Sequence, residues 1–252
     1  MKSFVAFDIE IAYDFPPEGE PMDYAALGIS CAAVAWRLPD DEIHYETWTG
    51  TGLAMSGAEA RSLVTDLLSL EQEGHTLLTV NGAGFDFRVL AAASGLKKAC
   101  AEMALGHVDL CFMMLAQRGF PLSLDAMAKG AGVEGKLHKV RLADGRMIED
   151  MSGEMAPEMW RAGERNAVLA YLKDDVRSTL EMGEAVSRKR GIGWNARSGK
   201  WNFQQFARPL TVTECLAIPE PDTSWMTDPL TREKFLSWTG YLESEKSNSL
   251  PS

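Results

Sequence analysis

The sequence predicts an α/β fold, a mixed β-sheet flanked by helices and followed by a C-terminal appendage. Three observations predict it. Residues 4–11, Phe-Val-Ala-Phe-Asp-Ile-Glu-Ile, form an apolar run of strand length, and two further runs of strand character, 27–36 and 43–49, follow closely enough to pair antiparallel. Beyond residue 76 the pattern changes to a short strand, a turn and a helix in succession. At Gly191 the composition shifts to tryptophans, basic residues and spaced prolines. That shift divides the chain into a domain over 1–190 and an accessory segment over 191–252 that ends in a polar tail. At 252 residues the chain is long enough to bury a sizeable core.

The elements follow in order. Residues 12–26 are rich in Pro, Gly and acids and read as a loop. The runs 27–36 and 43–49 form a hairpin across Pro39-Asp40-Asp41. Ser56 or Gly57 caps a helix to about Glu73, with Leu63, Leu67 and Leu70 on one face. A short strand over 77–80 ends at Asn81-Gly82. An Asn-Gly pair between strands would mean a hairpin, but the alanines of 85–93 favour a helix instead. His107-Val108-Asp109 reads as a strand leading into a helix over 110–117, and Ser123 caps a helix to Lys129. Residues 130–153 are a Gly-rich, partly basic excursion. From Pro157 to Lys189 the pattern is helical, interrupted near Gly163, with Leu169, Leu172, Val176 and Leu180 as the buried stripe. A short helix near residues 231–238 precedes the tail.

No apolar run approaches the ~20 residues of a membrane span. The N-terminus starts a strand at once, without a charged region, an apolar stretch and a cleavage site, so we read the chain as cytoplasmic and without a membrane partner. Cys31, Cys100, Cys111 and Cys215 form no C-x-x-C pair and read as reduced, buried thiols. The formal charge of −11 argues against a general nucleic-acid coat protein, but not against an enzyme whose acids bind cations. The charge is unevenly spread. Residues 188–208 hold Arg188, Lys189, Arg190, Arg197, Lys200 and Arg208 and no acid, and a weaker basic patch holds Lys129, Lys136, Lys139 and Arg141 against Glu134.

In a strand, Asp8 and Glu10 share one face and Phe7, Ile9 and Ile11 the other. Burying two like charges this way is costly unless a cation lies between them or each has a partner, so the pair suggests a divalent metal site. The plainer alternative ends the strand at Asp8 and leaves both acids in solvent. Asp86 alone reads as an acid in the first turn of a helix, where the dipole favours it. Tyr171 and Asp175, four apart on a helix, alone read as a solvated pair. Together, Asp8, Glu10, Asp86 and Asp175 are four acids on three elements able to converge at one end of a sheet, and converging carboxylates need hard divalent cations.

On these residues the sequence resembles the DEDD (DnaQ-like) family of 3′-to-5′ exonucleases, and in particular stand-alone bacterial relatives of the proofreading domains of family B DNA polymerases. Phe7-Asp8-Ile9-Glu10 is similar to the first family motif, Asn81-x-x-x-Phe85-Asp86 to the second and Tyr171-x-x-x-Asp175 to the third. The resemblance covers roughly residues 1–190. It implies the ribonuclease H-like fold and the tyrosine subtype, since Ala170 stands where the histidine subtype has His. Ile11 stands where many members have Thr.

The resemblance also implies hydrolysis assisted by two divalent cations, Mg²⁺ or Mn²⁺. Asp8 would bridge both, Glu10 and Asp175 would complete one site, and Asp86 would hold the second. Tyr171 would orient the attacking water, and Asn81 and Phe85 would pack near the final nucleotide. The expected activity is removal of nucleotides from a single-stranded 3′ end, with DNA preferred. Trimming of RNA 3′ ends is the alternative within the enzyme class, and a catalytically silent nucleic-acid-binding module is the alternative outside it. Protein partners are not legible. In 188–208 the cations alternate with aromatic residues, so Trp194, Arg197, Lys200 and Trp201 are expected to contact nucleic acid, as cationic grooves and stacking rings do. The competing reading packs the rings against the core.

Overall fold

In a computed structural model of the chain, the described residues are 3–134, 139–196 and 198–240. Lys136 and Arg197, both expected in basic patches, lie outside them.

The strands and helices, in chain order, are β1 (Phe4–Ile11), α1 (Tyr24–Leu27), β2 (Ile29–Arg37), β3 (Ile43–Thr49), α2 (Gly57–Gln72), β4 (Thr76–Thr79), α3 (Asp86–Ser94), α4 (Lys97–Gly106), β5 (Val108–Asp109) and α5 (Leu110–Arg118). They continue with α6 (Leu124–Ala131), β6 (Val140–Arg141), β7 (Met147–Ile148), α7 (Ala156–Arg161), α8 (Arg165–Lys189), β8 (Gly191–Asn195), β9 (Trp201–Gln205), α9 (Val212–Leu216) and α10 (Arg232–Leu236). Five strands form a sheet in the order β3-β2-β1-β4-β5. The pairs β1–β2 and β2–β3 are antiparallel, whereas β1–β4 and β4–β5 are parallel, so the sheet is mixed as expected.

β1 is the middle strand of the sheet and is packed on both faces. Val5, Phe7, Ile9 and Ile11 pack with Leu63 and Leu67 of α2 and Phe87 and Leu90 of α3. The opposite face is built from small residues, Ala6 with Cys31, Ala33 and Ala35 of β2, which let Val168, Leu172 and Val176 of α8 approach the sheet. On this second face stand Asp8 and Glu10, opposite Ala33 and Cys31. Gly183 of α8 shows how tight the approach is, since a Cβ there would run into the Leu78 side chain of β4. The four cysteines are free and buried, as expected, and burial pushes the Cys100 thiol up to about 11.

The capping-box helix α2 begins at Ser56 as expected, its hydroxyl accepting from the Glu59 amide and the Glu59 side chain answering to the Ser56 amide. The run expected from residue 27 is divided. Asp23 caps the single turn α1, and Gly28, with φ of 55°, breaks the chain before β2. Helix α4 and the hairpins β6–β7 and β8–β9 are additions to the expected elements. After Lys189, Ile192, Trp194, Phe206, Val212, Cys215, Phe235 and Leu236 share one apolar cluster with Leu110, Phe112 and Met114 of α5 and with Leu124 and Met127 of α6. Among the described residues no helix is long and apolar enough to cross a membrane.

Candidate functional site

At the end of β1, a cavity of about 930 Å³ opens between the sheet, the β4–α3 turn, the start of α6, the 150–154 segment and α8. Asp8, Glu10, Asp86, Tyr171 and Asp175 all line it, together with Asn81 and Phe85. So the three stretches singled out in the sequence meet at one place. Asp125, Asp150 and Glu154 add to the wall, and among the described residues no Lys, Arg or His lines it.

Two carboxylates meet at one backbone amide. The Ile9 N–H is donated both to Asp8 Oδ1, at 3.0 Å, and to Asp86 Oδ1, at 3.1 Å. Asp86 comes from the first turn of α3, so this bond fixes that helix against β1. Burial holds the Asp86 carboxyl up at about 6, above the ordinary carboxylate range, against the opposing effect of its hydrogen bonds to Asp8 and to the Ile9 amide. Glu10 is also buried. Beside it the β1–β2 ladder slips by one residue, and Ser30, the unpaired residue of β2, donates its hydroxyl to the Glu10 carbonyl at 3.0 Å. Bulges of this kind redirect a side chain next to a site.

Tyr171, Asp175 and Thr179 line the cavity from α8 at positions i, i+4 and i+8, one face of the helix. All three are buried, so the solvated alternative for Tyr171 and Asp175 does not hold. Thr179 was not anticipated, though the same spacing points to it. Phe15, on the loop after β1, was also not anticipated. Its ring lies 5.9 Å from that of Phe85, and Phe15 is 43% exposed, which places an aromatic pair at the cavity.

The turn carrying Asn81 and Phe85 is held from three sides. Asp109, fully buried at the end of β5, accepts from the amides of Asn81 at 3.0 Å and Ala83 at 2.9 Å while capping α5 through Cys111 and Phe112. His107 Nδ1 is 2.8 Å from the Ala104 carbonyl and must donate to it. Its Nε2 therefore accepts from Thr79 Oγ1, 2.8 Å away, and that oxygen accepts in turn from the Gly82 amide. Burial lowers the His107 pKa and keeps the ring neutral, although the Asp109 charge favours the cation. From the C-terminal segment, Trp238 donates its indole N–H to the Ala83 carbonyl at 2.8 Å, and the Phe235 ring fills the space where a Cβ at Gly84 would stand. Asn81 itself adopts φ of 74°, a left-handed conformation that Asn tolerates better than most residues.

Asp8, Glu10, Asp86 and Asp175 fit hard cations in their donor chemistry, because each offers carboxylate oxygen to the cavity. Among the described residues, no three His, Cys, Asp or Glu side chains are grouped tightly enough to hold a metal ion as they stand.

The other expected contacts lie elsewhere. Trp194, Lys200 and Trp201 belong to the β8–β9 region and do not line the cavity. Trp194 is 6% exposed and sits in the apolar cluster against Phe120, so for this residue the core reading holds. Trp201 is 51% exposed.

No protein-family model matches the chain, and no curated protein matches it in sequence. Solved structures do match. The family B DNA polymerase of the archaeon Pyrobaculum calidifontis aligns with a TM-score of 0.51 at 22% identity, over 74% of this chain and 24% of that one. E. coli Exonuclease I, in complex with a dT13 oligonucleotide, aligns with a TM-score of 0.39 at 14% identity, over 75% of this chain and 42% of that one. The matched region is thus about a quarter of the polymerase. The polymerase likeness, with the five-stranded mixed sheet and its flanking helices, makes the fold the ribonuclease H-like α/β arrangement.

Proposed function

We propose that the protein is a metal-dependent 3′-to-5′ exonuclease of the tyrosine subtype, hydrolysing the terminal phosphodiester of single-stranded nucleic acid, with DNA preferred. The observation that carries this reading is the convergence of Asp8, Glu10, Asp86, Asp175 and Tyr171 on one cavity whose wall, among the described residues, contains no basic side chain. A binding module would gain nothing from buried carboxylates facing a phosphate backbone.

Asp8, Glu10, Asp86 and Asp175 are the residues that would hold two divalent cations, Mg²⁺ or Mn²⁺. When bound, such ions supply an activated water and stabilise charge on the departing 3′ oxygen. The protein's own contribution is positional. The Ile9 amide orients Asp8 and Asp86 towards one another. The Tyr171 phenol, buried on the α8 face of the cavity, would orient the attacking water at its oxygen and relay its proton. Phe85 and Phe15 would bracket the terminal base, and Asn81 would offer its amide group beside them.

Incubating pure protein with labelled single-stranded DNA and RNA tests this reading, in Mg²⁺, in Mn²⁺ and in chelator. Cation-dependent shortening of the DNA, slower on RNA, is expected. Equal or faster shortening of RNA would reverse the substrate preference, and turnover in excess chelator would overturn the mechanism.

A further inference from the structure

The β8–β9 hairpin has an inner face, with Ile192 and Trp194 in the core, and an outer face that carries Gly191, Gly193, Trp201 and Phe203. On the outer face the two rings lie over the two glycines, so closely that a Cβ at Gly191 would strike the Phe203 ring and one at Gly193 the Trp201 ring. Trp201 and Phe203 are nevertheless 51% and 49% exposed. Residues two apart on a strand present their side chains on the same side, so the two half-exposed rings lie side by side over two glycines. A core needs no such pair, and an isolated hairpin face has no packing reason to keep it in water.

The surrounding charge selects the occupant. Residues 188–208 contain six cations and no acid in a chain of net charge −11. Among the described residues Arg188, Arg190 and Lys200 make no ion pair, whereas Arg208 is paired with Glu214. The cavity and the hairpin are joined by α6. Its start, Ser123 to Asp125, lines the cavity, and Gly130 near its other end packs directly on the Gly193 carbonyl of β8. Lys129 is exposed on that helix, and Lys189 donates to the Ala131 carbonyl at its end. Six residues of α-helix span about 9 Å, roughly three stacked nucleotides.

We propose that Trp201 and Phe203 form a base-stacking platform for the body of a single strand whose 3′ end occupies the cavity. Arg188 and Arg190 at the end of α8 and Lys200 on the hairpin follow its phosphates. This rests on the exonuclease reading of the cavity and adds to it the course of the strand outside it. Two exposed rings beside cations that make no ion pair among the described residues suit a single strand, because every base offers a π face and every link a negative charge.

The test is fluorescence anisotropy of the full chain with labelled oligothymidylates in chelator, so that turnover cannot intervene. Strands of about 3 and about 12 nucleotides would be compared, the longer lying within the usual range for such sites. The parent is expected to bind the longer strand more tightly. The double variant Trp201→Ala, Phe203→Ala is expected to lose at least about tenfold on the longer strand and little on the shorter, and Trp201→Phe with Phe203→Tyr to restore binding. Circular dichroism checks that each variant is folded. Equal affinity of a folded Ala variant would overturn the platform, while cation-dependent hydrolysis by the parent would leave the cavity reading standing. A parent that binds neither strand would also overturn the platform. A parent that is dimeric in gel filtration, with a monomeric Ala variant, would assign the ring pair to self-association and overturn it too.

Discussion

Asp8, Asp175 and Tyr171 face the same cavity, and substitution tests the different roles proposed for them. Asp8→Ala or Asp175→Ala should abolish turnover and weaken cation binding, measured by calorimetry with Mn²⁺. Tyr171→Phe should retain the cations and lose about 10² to 10⁴ in rate, the range for assistance to proton transfer. Equal loss of cation binding in Tyr171→Phe would place the phenol among the ligands. Asp109 contributes through stability. Its Oδ1 accepts from Asn81, Cys111 and Phe112 and its Oδ2 from Ala83. Asp109→Ala leaves four amides unpaired in the interior and should cost about 3 kcal/mol or more in urea unfolding, whereas Asp109→Asn keeps three acceptances and should cost about 1–2 kcal/mol. Identical costs would mean that the carboxylate geometry is irrelevant to the turn.

At the scale of elements, the β4–α3 turn is the piece on which the cavity depends, and its supports come from β5, the end of α4 and the C-terminal segment. His107 is expected to make that arrangement sensitive to pH. Burial depresses its folded pKa, so above about 6.5 the ring is neutral in both states and contributes no slope. As the pH falls below that value, the unfolded chain takes up a proton that the folded chain refuses, and stability declines by up to about 1.4 kcal/mol per pH unit until the folded pKa is reached. Urea unfolding of parent and His107→Gln at pH ~7.5 and ~5.5 checks this, with a smaller decline expected in the variant. A parallel decline would show that His107 is not the sensing group. For the hairpin, single-strand binding should have a log-log salt slope near −2 if Arg188, Arg190 and Lys200 each meet a phosphate. Arg190→Ala with Lys200→Ala should reduce its magnitude by about 1.4. An unchanged slope would remove these cations from the strand's course.

Across the whole molecule, the parts legible in sequence are those with strong local patterns. The period-two run of β1 and the four-residue spacing of Tyr171 and Asp175 are fixed by backbone geometry, and both carry the cavity. What escaped was decided by tertiary packing. Trp194 and Trp201 are alike in sequence context, yet alternation along two paired strands buries one and exposes the other, and pairing across Ala196 to Lys200 is needed to know which. Phe15 reaches the site from an irregular loop with no periodicity to read, and Asp109 is marked only by the amides that converge on it. The most direct measurement compares linear single-stranded DNA labelled at its 3′ end with a covalently closed single-stranded circle, each with the pure protein in Mg²⁺ and in chelator. A terminal, cation-assisted site built on Asp8, Glu10, Asp86 and Asp175 releases the labelled terminal mononucleotide first, leaves the circle intact, and is silent in chelator and in Asp175→Ala. Cleavage of the circle, or release of label in excess chelator, would contradict it.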